Sequence, residues 1–335
     1  MIQSIIGAWR IFVWAGLASL LISACAAGPP ADVASSSSKP LQRPPVPAAD
    51  LDGRRLQVVA TTSIVGDVVG QIGGQDIVLT TLINAGQEPH SYLATPADLR
   101  TAAAADLIFS NGWDLEGSLA HELGDVAPGA PQVPMSAGIQ PRPLAAGQGE
   151  AGVDPHVWLD PRLLRQWSAN AAWALTAADP AHAAAYEGRR VGFERQLDAL
   201  ISHADEAMGA ISPEERQLVS QHANFGYLAD RYGINIVGLL SAPTSGPAEP
   251  SAGRLAELAQ AMDTAGICTI FVEAGESDDL VSTLAKELDG CPDLQVVALR
   301  TESLGPPGTP ADSTLGLARA AVDAVSRALG DGGKE

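Results

Sequence analysis

Residues 56–83 read LQVVATTSIVGDVVGQIGGQDIVLTTLI, and this stretch decides the fold class. The β-branched run Leu56–Thr62 predicts a buried strand, and Ser63 is placed to cap a helix whose apolar residues share one face. Two glycines end that helix, and Ile77–Ile83 predicts a second strand. Two strands separated by a helix predict a parallel α/β sheet.

The same alternation of strands and helices runs through the rest of the chain. Thr95 is placed to cap a helix at Pro96–Ala105, and Leu107–Ser110 predicts a third strand. The second half repeats the pattern, with strands predicted at Gln217–Ser220, Ile234–Leu239, Cys268–Val272 and Leu294–Leu299. Helices are predicted around them at Phe225–Tyr232, Ala252–Thr264, Leu280–Leu288 and Thr314–Leu329. The fold class is therefore α/β, with two Rossmann-like parallel-sheet lobes.

Between the two halves the sequence predicts a long helix. After a helix at Pro161–Ala177, apolar residues recur at three- and four-residue steps from Ala181 to Ala210. A helix of that length extends ~45 Å, because each residue adds ~1.5 Å. Such a helix could join two lobes rigidly. The alternative is one amphipathic helix packed on a single domain.

The first residues resemble the signal segment of a bacterial lipoprotein. Arg10 supplies positive charge, and the apolar run Ile11–Ile22 has the length of a signal peptide core and is short for a membrane span. Leu21–Cys25 resembles a lipobox, which implies cleavage after residue 24 and lipidation of Cys25. The alternative is an ordinary signal peptide or an uncleaved anchor. Residues 25–53 are rich in Ala, Pro and Ser and are predicted to be a disordered tether.

Composition excludes two classes of function. The formal net charge is −19, and loss of residues 1–24 removes Arg10 and no acid, so the remaining chain is more negative still. The phosphate backbone would repel such a chain, which excludes nucleic acid as a partner. None of the three lysines lies in a phosphate-binding loop of the G-x-x-x-x-G-K-[ST] kind, which excludes ATP hydrolysis by that mechanism.

Four potential metal ligands stand singly in short loop contexts. They are His90 in GQEPHSY, His156 in DPHVWLDP, His222 in QHANFGY and Glu302 in RTESLG. Imidazole nitrogen and carboxylate oxygen are ligands of first-row divalent ions. His90, His222 and Glu302 follow predicted strand ends, where open α/β sheets bind their ligands. Each alone has a plainer interpretation as a solvated, stacked or capping side chain. The other histidines, His121, His182 and His203, are predicted to be surface residues.

Two further cysteines lie near predicted strands: Cys268 opens the strand Cys268–Val272, and Cys291 precedes the strand Leu294–Leu299. An exported protein meets an oxidising compartment, so these two thiols are candidates for a disulfide bond. The alternative is a pair of unbonded thiols.

Over nearly all of its length after the signal segment, the chain resembles the metal-binding lipoproteins of zinc and manganese ABC importers, the TroA-like group. The resemblance rests above all on GQEPHSY and DPHVWLDP, supported by VVATTSIVGD, ADLIFSNGWDLE, HANFGYLADRYGI and IFVE in the same order. It implies two α/β lobes joined by a long rigid helix. The boundaries are 54–178 for the first lobe, 179–212 for the helix and 213–335 for the second lobe.

The resemblance also implies a binding protein rather than an enzyme. One divalent ion would be held as cargo between the lobes, by His90 and His156 from the first and by His222 and Glu302 from the second. The implied partners are a permease and its ATPase, with a lipid anchor on Cys25 at the outer face of the cell membrane or in the periplasm. The chain is expected to be a monomer.

Two departures bear on which metal is carried. Glu88 stands where the family usually has aspartate, and Glu302 stands where the fourth ligand is often aspartate. The stretch Pro141–Val153 has no histidine, whereas many zinc-specific members carry a histidine-rich loop there. Three imidazoles and one carboxylate nevertheless favour Zn²⁺, with Mn²⁺ as the alternative. A zinc-dependent hydrolase and a lipid-anchored adhesin remain as other classes of function.

Overall fold

Two parallel β-sheets carry the fold. The structure is a computed structural model that describes residues 39–144, 152–241, 251–275, 277 and 279–330. All of these residues belong to one unit that begins at Ser37. The expected signal peptide and Cys25 lie outside the described residues.

The first sheet has the strand order β2-β1-β3-β4, and every neighbouring pair is parallel. Its strands are β1 (Leu56–Thr62), β2 (Ile77–Ile83), β3 (Leu107–Ser110) and β4 (Gln132–Pro134). The helices of this half are α1 (Ser63–Gly73), α2 (Pro96–Ala103), α3 (Ser118–Val126) and α4 (Leu164–Ala178). Because all four strands run the same way, their carboxyl ends meet at one edge, where the His90 loop begins.

The second sheet has the corresponding order β6-β5-β7-β8 and is again parallel. Its strands are β5 (Gln217–Ser220), β6 (Asn235–Leu239), β7 (Thr269–Glu273) and β8 (Gln295–Leu299). After α5 (Ala183–Gly209), the helices are α6 (Gly226–Tyr232), α7 (Ala252–Ala265), α8 (Asp279–Glu287) and α9 (Thr314–Gly330). The α/β prediction with two parallel sheets and a long helix is therefore confirmed.

The helix α5 packs on helices from both halves of the chain. It contacts α1 and α4 from the first half and α9 from the end of the second. Its buried face includes Phe193, Leu197, Ala204 and Met208. Arg189 also donates to the carbonyl of Ile72 over 2.6 Å at the end of α1, where a cation favours the helix dipole. We propose that 54–178, 179–212 and 213–335 are the boundaries of the two lobes and their linking helix.

The residue that caps α1 differs from the one predicted. Thr62, not Ser63, has the extended backbone of a cap, and its side chain accepts from the Val65 amide. Ser63 is the first helical residue, and its Oγ accepts instead from the amide of Leu304, over 3.2 Å. The predicted cap therefore connects the first lobe to the segment that follows Glu302.

The predicted tether is folded against the first lobe from Lys39 onward. Arg43 donates to Asn170 Oδ1 over 2.8 Å, and its guanidinium lies 5.0 Å from the Trp173 ring centre. The amide of Ala49 donates to the carbonyl of Ala178 over 2.8 Å. Val46 and Leu51 also pack on the core. The prediction of disorder is wrong for 39–53, because a proline-rich segment without a helix or strand period can still bury side chains and pair backbone groups.

Cys268 and Cys291 form a disulfide bond, with their Cα atoms 5.3 Å apart. The bond joins the residue before β7 to the turn before β8, and these two strands are neighbours in the second sheet. In the part of the chain that the structure describes, none of the helices has the length and apolar character needed to cross a bilayer.

Candidate metal centre

His90 lies in the loop that follows β2. Its backbone amide donates to Glu88 Oε1 over 2.8 Å. Glu88, which replaces the family's usual aspartate, therefore still fixes the backbone of the histidine two residues later. Pro89 between them is buried and restricts the backbone further. The loop thus holds the His90 ring at the edge of the first sheet.

His156 is fully buried, and Asp154 sets its orientation. Asp154 Oδ1 accepts from the Nδ1 of His156 over 2.8 Å and from its backbone amide over 3.0 Å. Arg142 balances this carboxylate, with its guanidinium 3.3 Å from Asp154 Oδ2. A carboxylate on Nδ1 fixes the proton there and leaves the Nε2 lone pair for a metal.

The second lobe contributes His222 and Glu302, each just beyond a strand. His222 follows β5, and its carbonyl accepts from Ser220 Oγ over 2.8 Å. Glu302 follows β8 and is only 5% exposed. Its Oε1 accepts from Asn224 Nδ2 over 2.9 Å, whereas its Oε2 is buried without a hydrogen-bond partner.

The four side chains converge on one point. The Nε2 atom of His90 lies 3.0 Å from Nε2 of His156 and 3.3 Å from Nε2 of His222. Glu302 Oε2 lies 3.6 Å from Nε2 of His156 and 3.8 Å from Nε2 of His90. A tetrahedral zinc site with bonds of about 2.0–2.1 Å has ligand atoms ~3.3 Å apart. The spacing of these atoms fits such a site.

The donor set also fits a divalent ion on chemical grounds. One ligand atom from each of the four residues lies within 4.8 Å of the others. A buried carboxylate oxygen without a partner is costly, and a cation at this point would satisfy Glu302 Oε2. Among the described residues, no other group of histidine, cysteine and acidic side chains brings three or more ligand atoms this close together.

Burial governs the pKa values of these groups in the metal-free protein. Burial and the neighbouring imidazoles lower the pKa of His90 to about 2, and burial and His156 lower that of His222 to about 3. Burial raises the pKa of Glu302 to about 7. Burial opposes the charged form of His156, but the Glu302 and Asp154 carboxylates outweigh it and raise the pKa. Two of the three imidazoles are therefore neutral at pH 7, as ligation requires.

The segment that carries Glu302 is bonded to the first lobe on both sides. Before it, the carbonyl of Thr301 accepts from Trp158 Nε1 over 2.7 Å. After it, Ser303 Oγ accepts from the amide of Gly86 over 3.1 Å, and the amide of Leu304 donates to Ser63. The ligand loops of the two lobes thus form one hydrogen-bonded assembly around the cluster.

The structure places the remaining histidines away from this point. His121 is exposed on α3, His182 pairs with Asp179 over 2.6 Å, and His203 pairs with Asp323. Sequence reasoning missed the supporting residues Asp154 and Asn224. The sequence did contain a cue to the role of Asp154, because this residue lies two positions before His156 in the DPH motif. Asn224 had none, since its role depends on a residue far away in the chain.

Comparison with known proteins gives the same picture. The family described as zinc-uptake complex component A, periplasmic (ZnuA), matches residues 58–328. Among similar curated proteins, the manganese ABC transporter substrate-binding lipoprotein PsaA of Streptococcus anginosus is 28% identical over 285 residues, covering 83% of this chain and 90% of that protein. The zinc-binding protein TroA of Treponema pallidum is 29% identical over 284 residues, covering 84% and 91%.

Solved structures show the same fold. The periplasmic zinc-binding protein TroA superposes with a TM-score of 0.74 at 26% identity, covering 82% of this chain and 99% of that one. The manganese-bound S38A mutant of the periplasmic metal-binding protein of Candidatus Liberibacter asiaticus also superposes with a TM-score of 0.74, at 27% identity over 82% and 100%. The chain therefore belongs to the zinc-uptake component A family and is a metal-binding substrate-binding protein of the ABC-importer type, not an enzyme.

Proposed function

We propose that this protein captures Zn²⁺ outside the cytoplasm and delivers it to the permease of an ABC importer. The ligands are His90, His156, His222 and Glu302. The observation that carries the proposal is the convergence of three Nε2 atoms and the unpartnered Glu302 Oε2 within 4.8 Å. Such a set of three nitrogens and one oxygen suits four-coordinate zinc.

The relatives do not decide which metal is the cargo. They include proteins named for manganese, for iron and for zinc. The donor set of this chain favours zinc, because Mn²⁺ prefers oxygen ligands and higher coordination numbers. Mn²⁺ remains the second candidate, and the manganese lipoproteins among the relatives support it.

Affinity alone does not identify the physiological cargo. Mn²⁺ is the weakest binder in the Irving–Williams order, so a site used for manganese would also hold zinc more tightly. Uptake of each metal by cells that lack the gene is therefore the measurement that separates the two cargoes.

We propose that the bound ion cross-links the two lobes, since each lobe supplies two ligands. Binding displaces protons from any protonated ligand, so affinity falls in acid. Release at the permease requires movement of the second-lobe segment that carries Glu302. Equal docking of the metal-free and metal-loaded forms to the permease would contradict this coupling.

The anchoring proposal rests on the lipobox resemblance around Cys25 and on relatives that are named lipoproteins. A lipid on that cysteine would hold the protein at the outer face of the cytoplasmic membrane or in the periplasm. Its partners there would be a permease and its ATPase. We propose a monomer as the working form.

The test is a competition titration of metal-stripped protein, residues 26–335, with Zn²⁺ and Mn²⁺. One tight zinc equivalent is expected for the wild type. His222→Ala and Glu302→Gln should weaken or abolish it, because the first removes a ligand atom and the second removes the negative charge of the carboxylate ligand. The matched control is His121→Ala, which removes an exposed histidine on α3. Absence of stoichiometric binding in the wild type, or equal loss in the control, would refute the assignment.

A further inference from the structure

Asn224 is buried beside Glu302 and contacts two neighbouring residues of the second lobe. It lies two residues after His222 and is 3% exposed. Its Nδ2 donates to Glu302 Oε1 over 2.9 Å and to Thr301 Oγ1 over 2.5 Å. One amide thus joins the loop that follows β5 to the loop that follows β8, each of which carries a ligand of the second lobe.

Chemistry fixes which end of the amide faces Glu302. A carboxylate that binds a metal ion is ionised, and its oxygens only accept hydrogen bonds. The Thr301 hydroxyl donates its own proton to Glu273 Oε2 and therefore accepts from Asn224. Both neighbours thus require the NH₂ group, so the amide orientation is set by its partners.

The contact leaves the two Glu302 oxygens with different roles. Oε1 is occupied by the Asn224 amide, whereas Oε2 has no hydrogen-bond partner and lies 3.6 Å from Nε2 of His156. Oε2 is the oxygen that faces His90 and His156, so for both oxygens to bind one ion the carboxylate would have to turn and bring Oε1 toward it, which would strain the Asn224 bond. A turn that broke this bond would leave one N–H of the buried Asn224 amide without an acceptor, which is unfavourable.

We propose that Asn224 is a specificity-determining positioning residue that restricts Glu302 to one-oxygen ligation and so favours zinc over manganese. The proposal rests on the proposed function of the site. One oxygen from Glu302 and three imidazoles make four ligands, the number that zinc accepts. A second oxygen would make five and shift the site toward ions that prefer more oxygen, among them Mn²⁺.

The support for Asn224 extends into the second sheet. Glu273, the last residue of β7, accepts from the amide and the hydroxyl of Thr301. The amide of Glu273 in turn donates to Gln221 Oε1 over 3.1 Å. Glu273 ends the central strand β7, Gln221 directly follows the central strand β5, and Thr301 lies two residues after β8. The partners of Asn224 are therefore held by the sheet.

The test compares wild type, Asn224→Ala and Asn224→Leu, each as residues 26–335. Both changes remove the donor, and leucine keeps most of the volume. Asn235→Ala, at the exposed start of β6, is the matched control. The readouts are the Zn²⁺ to Mn²⁺ affinity ratio by competition and the visible spectrum of the Co²⁺-loaded protein. Four-coordinate Co²⁺ absorbs much more strongly than five- or six-coordinate Co²⁺. Thermal unfolding of the metal-free forms monitors folding.

We expect an intense four-coordinate Co²⁺ spectrum in the wild type and in Asn235→Ala. In both Asn224 variants the spectrum should weaken, and the Zn²⁺ to Mn²⁺ ratio should fall by about 10-fold, the lower end of the effect of residues that support metal ligands. An equal loss of Zn²⁺ and Mn²⁺ affinity would overturn the proposed role of Asn224, and so would an unchanged Co²⁺ spectrum with an unchanged Zn²⁺ to Mn²⁺ ratio. Neither result would contradict the zinc site itself. A weak wild-type Co²⁺ spectrum would overturn it even if the variants fail to fold. No metal binding in the wild type would instead refute the proposed function.

Discussion

Trp158 and Thr301 connect the two lobes directly behind the metal ligands. The indole of Trp158 packs edge-on against the His156 ring, with centres 5.4 Å apart, and its Nε1 donates to the Thr301 carbonyl over 2.7 Å. Thr301 immediately precedes Glu302. One side chain thus touches a ligand of the first lobe and fixes the backbone next to a ligand of the second.

Trp158→Phe should weaken metal binding although all four ligands remain. The change leaves the buried Thr301 carbonyl without its donor, which costs about 1–3 kcal/mol, and it frees the backbone beside Glu302. We expect about a 10-fold loss of zinc affinity, as for other supporting contacts. Competition titration measures it.

Trp167→Phe is the control for that experiment. Trp167 is also fully buried and 6.3 Å from Trp158 between ring centres, but its Nε1 has no hydrogen-bond partner. The Trp167→Phe variant should therefore lose packing contacts but keep the zinc affinity of the wild type. Equal losses of affinity in both variants would show that packing, not the bond to Thr301, is what matters.

Asp154→Ala should weaken zinc binding by about 10- to 100-fold, the usual effect of removing the carboxylate behind a metal-binding histidine. Without Asp154, the Nδ1 of His156 loses its carboxylate acceptor, and Arg142 keeps only Asp230 as a carboxylate partner. Isothermal titration of the metal-stripped protein checks the expectation.

Asp179→Ala provides the matched comparison for Asp154. Asp179 also accepts from a histidine Nδ1, that of His182, over 2.6 Å, but this pair lies away from the cluster. The variant is expected to bind zinc like the wild type, whatever its stability. If it lost affinity as Asp154→Ala does, the pairing with His156 would not be the cause.

Replacing Cys268 and Cys291 together by serine should lower the free energy of unfolding by about 3 kcal/mol. The estimate follows from the loop that the bond closes, whose ends are 23 residues apart. Urea unfolding with and without reductant tests it. Reductant should destabilise the wild type and leave the double variant unchanged, and a wild type insensitive to reductant would contradict the bond.

Acid should remove one stabilising contact at the start of the first sheet. The Arg54 guanidinium holds the pKa of Asp106 below its ordinary value of 3.8. A carboxyl group with a lowered folded-state pKa stabilises fully above its unfolded pKa, and the stabilisation is lost as pH falls through the folded value. Asp106→Asn should therefore unfold at lower urea than the wild type at pH 7, and the difference should narrow near pH 3. A difference that persists in acid would contradict this assignment.

Local patterns predicted the elements well because those patterns reflect local physics. The strands Leu56–Thr62 and Ile77–Ile83 are formed as predicted, since buried parallel strands are continuous apolar runs. The helix α3 (Ser118–Val126) and the short strand β4 (Gln132–Pro134) were missed. Three residues carry too little periodicity to identify a strand, so β4 is specified by its pairing with β3.

The candidate ligands were predicted from loop contexts, and their supporting contacts were not. His90, His156, His222 and Glu302 stand out because their residue types and positions after strands are visible in the sequence. The bonds from Trp158 to Thr301 and from Asn224 to Glu302 join residues distant in the chain. Such contacts depend on how the two sheets pack, which a single sequence does not encode in any local period.

The packing of residues 39–53 on the first lobe shortens the stretch of chain that could separate a lipid anchor from the folded body. With the lipid on Cys25, as proposed, the folded body begins near Lys39, 14 residues from the anchor, rather than near Arg54, 29 residues from it. An extended chain spans at most ~3.3–3.6 Å per residue, so the greatest height of the body above its lipid falls from ~100 Å to ~50 Å. The protein would then be confined to a thin layer at the membrane surface, where the entrance of an importer lies.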